Sequence, residues 1–121
     1  MAITTQSLGF AASTNIFTDT DIEGTVVVVK SSSTVVHIIT IDNSLNGAQS
    51  FLKIWNSAGV VTIGTTVPDE IIMIPASAII TIAIVGGKTY ATGLQVACTT
   101  TAVLAGVTSP TSAVTLRVVY V

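Results

Sequence analysis

Apolar residues in this chain fall in short β-branched runs. No window of useful length repeats them at the i, i+3, i+4, i+7 spacing of an amphipathic helix. The runs GTVVVVK (24–30), TVVHIITID (34–42), SFLKIWN (50–56), IIMI (71–74), AIITIAIV (78–85), GLQVACTT (93–100) and SAVTLRVVYV (112–121) are separated by Gly, Pro, Ser and Asn. That rhythm is the mark of a β-sandwich or barrel. It predicts seven strands, with an eighth available from the N-terminal segment. Asn46-Gly47 reads as a tight turn and Gly86-Gly87 as a hairpin break.

Two runs alternate with period two: Leu52 and Ile54 oppose Phe51, Lys53 and Trp55, and Leu116, Val118 and Tyr120 oppose Thr115, Arg117 and Val119. Two others, 26–29 and 79–85, are apolar on both faces. Helices would cover such strands in a parallel sheet, but the chain offers none. Their second face is therefore expected against another subunit or a neighbouring sheet. The expected fold class is all-β, an antiparallel sandwich of seven or eight strands. Residues 1–20 read as an N-terminal segment or an arm, with Phe10 and Phe17 as anchors on a neighbouring subunit. Residues 21–121 read as a single sandwich domain, since 121 residues hold one core and not two.

The greasiest stretch, IIMIPASAIITIAIV (71–85), is shorter than the roughly 20 apolar residues of a spanning helix. Pro75 and Ser77 interrupt it, so two strands and a bend are expected, and no membrane partner. Charge is scarce: 8% of residues are Asp, Glu, Lys or Arg, against about 25% in an ordinary domain. Charge keeps small proteins apart, so a chain that forgoes it is expected to hide surface against other subunits. Lys30, Lys53, Lys88 and Arg117 are spread along the chain and give no footprint for nucleic acid. The N-terminal MAITTQSLGF lacks the basic and apolar regions of a signal peptide, which predicts synthesis in a cytoplasm without secretion.

Candidate chemistry is thin. Asp19, Asp21 and Glu23 before Gly24 resemble the start of a calcium loop, but the later ligands are missing and a polar turn explains them. His37 and Cys98 could pair as a nucleophilic dyad only with an orienting group and an oxyanion site. A lone cysteine excludes an internal disulfide and, with one histidine, a zinc site within the chain. Asp69 and Glu70 are adjacent and on a strand would face opposite ways. Gly86-Gly87-Lys88-Thr89 lacks the rest of a phosphate loop. Trp55 is expected in the core. No catalytic, cofactor-binding or metal-binding residue is assigned, and the chain is not expected to be an enzyme.

The segments LKIWNSAG (52–59), GTTVPDEIIMIPA (64–76), TGLQVACTT (92–100) and VTLRVVYV (114–121) resemble, in their order, a family of small tailed-bacteriophage virion proteins. The resemblance implies a jelly-roll-like sandwich and a capsid decoration (cement) subunit located in the virion. It would work as a homo-oligomer, a trimer favoured over a dimer, bound to the major capsid protein or another virion protein. A tail, neck or baseplate component is the alternative, as is a receptor- or glycan-binding module with exposed aromatics near Trp55 or Tyr90.

Overall fold

The computed structural model describes residues 14–121. Its strands are β1 (Asn15–Asp19), β2 (Val27–Lys30), β3 (Thr34–Asp42), β4 (Ser50–Trp55), β5 (Glu70–Ile74), β6 (Ile79–Tyr90), β7 (Leu94–Thr99) and β8 (Thr115–Tyr120). There is no helix among the described residues, hence none long and apolar enough to cross a membrane. β-branched side chains crowd a helical turn but pack well on a pleated surface, and these strands are built from them.

Two four-stranded antiparallel sheets result, ordered β1-β8-β3-β6 and β2-β7-β4-β5. The first strand pairs with the eighth, the second with the seventh, the third with the sixth and the fourth with the fifth. One long hairpin is thus folded over two sheets, which is a jelly roll. Alternation settles what each sheet buries. In the first sheet Val118, Ile39, Leu116 and Ile41 point inward and are all but fully buried; in the second, Leu52, Ile54, Val96 and Cys98 meet them.

Three expectations are corrected. Gly86 and Gly87 do not end a strand. They lie inside β6, where β3 pairs Val36 with Lys88 and Ile38 with Ala83, leaving His37 alone opposite residues 84–87. This is a bulge, and both glycines take positive φ, 77° and 79°. A side chain on Gly87 would collide with Val35 and come within 3.0 Å of His37 Cε1. The turn after β3 also sits earlier than Asn46-Gly47: the N–H of Asn46 donates to the carbonyl of Asn43 at 3.1 Å. Phe17 belongs to β1 and packs against this chain's own core, while Phe10 lies outside the described residues. Of the two covers expected for the doubly apolar strands, no neighbouring sheet of the described residues supplies one, since Val28, Ile79 and Val85 are exposed; the other, a second subunit, stays an expectation.

Candidate functional site

The two outer faces of the sandwich differ. On the second sheet, Lys53 and Trp55 of β4 and Gln95 of β7 point outward, yet all three are buried. The chain's own connections cover them. Lys53 Nζ donates to the carbonyls of Val103 (2.9 Å) and Gly106 (2.8 Å) in the β7–β8 connection. Trp55 Nε1 donates to Thr66 O at 3.0 Å, and Gln95 Nε2 to Ser57 O and Gly59 O, in the β4–β5 connection. An ammonium without a carboxylate at hand is costly to bury, and desolvation lowers the Lys53 pKa below the usual lysine value. The strand SFLKIW places a lysine between two aromatics on one face, but nothing in that string tells which connections cross above it.

Among the described residues no such cover lies over the first sheet. Its outer face carries a cross-strand row Ile16–Val119–Ile38–Ala83, and beside it a row Thr18–Arg117–Thr40–Thr81. Ile16 and Ala83 are exposed and Val119 and Ile38 half-buried. Val85, at the crest of the bulge, has its whole side chain in solvent. The outer face of the sheet is thus an apolar stripe next to a hydroxyl-rich one that holds Arg117, with Asp42 one row further along. Such a surface suits contact with another protein.

The candidate chemical groups do not come together. His37 sits at the bulge of the first sheet and Cys98 inside the second. Burial pushes the Cys98 thiol up to about 12, so at neutral pH it is a protonated core side chain. Asp19 Oδ1 accepts the N–H of Asp21 at 2.9 Å, a local turn. Among the described residues, no three His, Cys, Asp or Glu side chains converge as a metal site would need. Asp69 Oδ2 accepts the N–H of Asn56 at 2.7 Å, while Glu70 turns the other way.

Glu70 instead ties the two sheets together. Its Oε1 accepts from Tyr90 Oη at 2.9 Å and pairs with Lys88 Nζ, which lies 5.4 Å from the Tyr90 ring centroid. Burial first, and then Glu70, raise the Tyr90 pKa well beyond the usual range, so the phenol stays a donor. Trp55 and Tyr90 are 1% and 2% exposed and present no ring face to a sugar.

A cleft of about 300 Å³ opens between the β3–β4 and β7–β8 connections, lined by Leu45, Asn46, Ser50, Pro110 and Thr111 among others. The Asn46 amide is already committed: its Nδ2 donates to Asn43 Oδ1 and Ser112 O, and its Oδ1 accepts from Ser112 N at 2.8 Å. No titratable side chain lines the cleft. Comparisons with family models, curated proteins and solved structures give no match to this chain.

Proposed function

We propose that this chain is a non-enzymatic structural subunit of a virion, a decoration or cement protein that stabilises a phage head and associates with copies of itself. The observation that carries the reading is the outer face of the first sheet, which no described residue covers: an apolar stripe beside a hydroxyl-rich row, on a protein that buries its one thiol. The resemblance of residues 52–121 to tailed-phage virion proteins supplies the setting. Removing apolar surface from water is worth about 25 cal/mol per Å², so a face of this kind binds without ion pairs. The thiol of Cys98, protonated and enclosed, supports a non-catalytic role.

The test is quantitative mass spectrometry of virions purified from the lysate in which the chain is made. A copy number comparable with that of the major capsid protein is expected. A count matching a single ring at a neck or tail would move the chain to that part of the particle, and absence from purified virions would overturn the reading.

A further inference from the structure

From residue 79 to residue 83, β6 pairs with β3 on one side, and among the described residues nothing pairs with its other side. A free edge is a template for another strand, and proteins blunt such edges with charge, bulges or short length. The other edges of this sandwich carry those devices. β1 ends on Asp19, β2 has four residues and ends on Lys30, and β5 begins with Glu70. β6 has its bulge only after residue 83, and the run Ile79, Ile80, Thr81, Ile82, Ala83 has neither charge nor kink. The core is also open there. Ile80 and Ile82 are half-buried, whereas their cross-strand partners Ile41 and Ile39 are 0% and 4% exposed.

We propose that this edge joins β6 of one copy to β6 of a second copy, antiparallel, about a dyad at Thr81. The proposal rests on the self-association in the reading above and names its contact. An isologous contact must be complementary to itself, and this run is. Around Thr81, Ile80 meets Ile82 on the inner side, Ile79 meets Ala83 on the outer side, and Thr81 meets its own copy. The inner pairs close the core along the open edge, and a cross-strand Thr–Thr pair is favourable. No charge is set against its like. The two first sheets become one continuous eight-stranded sheet, and the particle is a dimer in place of the trimer that the resemblance implied.

Sedimentation of the full chain is expected to show a dimer. Thr81→Lys is expected to give a monomer with an unchanged far-UV spectrum, because Thr81 is exposed and two lysines would face each other at the dyad. Ala83→Lys, exposed on the same face, should act in the same way. Thr81→Cys treated with oxidised glutathione is expected to form an intermolecular disulfide, while Ile16→Cys, on the opposite edge strand of that sheet, is not. If both lysine variants sediment like the parent, the β6 contact is refuted and the self-association stands with its contact elsewhere. A trimeric parent overturns the dyad alone, and a parent monomeric at every concentration overturns the contact and the self-association together.

Discussion

Lys53 Nζ lies 2.8 Å from the carbonyl oxygen of Gly106, so a charged strand side chain, 1% exposed, holds down the connection that crosses above it. Removing the ammonium strands two carbonyls under the loop. Lys53→Met is expected to lower the unfolding free energy by roughly 1–3 kcal/mol, read from the midpoint of urea unfolding. Amide exchange over residues 101–108 should quicken in the same variant. An unchanged midpoint would show that the loop holds by packing alone.

Stability should fall in alkali, and Cys98 should account for part of the fall. Its thiol stands at about 12 in the folded chain against 9.0 ordinarily. A folded value above the unfolded one stabilises fully below pH 9.0, and the contribution is lost as the pH climbs towards 12. Tyr90 acts with the same sign. Lys53 opposes them: its folded value is lowered from 10.5, so below that pH the unfolded chain holds more protons and the Lys53 contribution rises with pH. Denaturant titrations from neutral pH upward should show a shallower decline in Cys98→Ala than in the parent, and parallel declines would remove Cys98 from this account.

The two bulge glycines should not be equivalent. Both have positive φ, which costs a side-chain-bearing residue about 1–2 kcal/mol. A Cβ on Gly86 meets nothing within 4 Å, whereas one on Gly87 runs into Val35 and His37. Gly86→Ala is expected to lose about 1 kcal/mol and Gly87→Ala clearly more, by thermal melting. Equal losses would mean that β3 gives way freely beneath the bulge.

Self-association should be nearly indifferent to sodium chloride. Salt at about 1 M shrinks the Debye length to about 3 Å and silences exposed ion pairs. The Lys88–Glu70 pair lies within one chain, and the proposed contact contains no charge. Sedimentation in dilute and molar sodium chloride should give the same species, and splitting of the oligomer by salt would assign the contact to charged groups instead.

The fold was legible where alternation is strict and both ends of a run are punctuated. The strand TVVHIITID was read with the limits it has, and the bend around Pro75 and Ser77 separates β5 from β6 as its residues suggest. Gly86-Gly87 misled because a bulge and a hairpin ask the same backbone freedom of glycine; only the partner strand decides between them. Asn46 misled similarly. An Asn-Gly pair favours a turn, but this asparagine is buried, 5% exposed, and bonds Asn43 in its own connection and Ser112 in a sequence-distant one. Lys53 was placed on the correct strand face, while its burial depended on connections whose path no local pattern records. The apolar stripe on the first sheet was legible as excess hydrophobicity and not as a surface, because which strands lie side by side is set by pairings far apart in the chain.

The place of β8 has a consequence for how the protein is made. In the first sheet it lies between β1 and β3, and the backbone of Val121 bonds Val35 in both directions. Until residues 115–121 have left the ribosome, β1 has no neighbour and one flank of β3 stays bare. The sandwich therefore closes after synthesis of this segment, not during it, and such distant pairings form slowly. Throughout that interval β5 and β6 have β4 and β3 to pair with but the sandwich is incomplete, so a chaperone or a second nascent copy can still reach the apolar run 71–85.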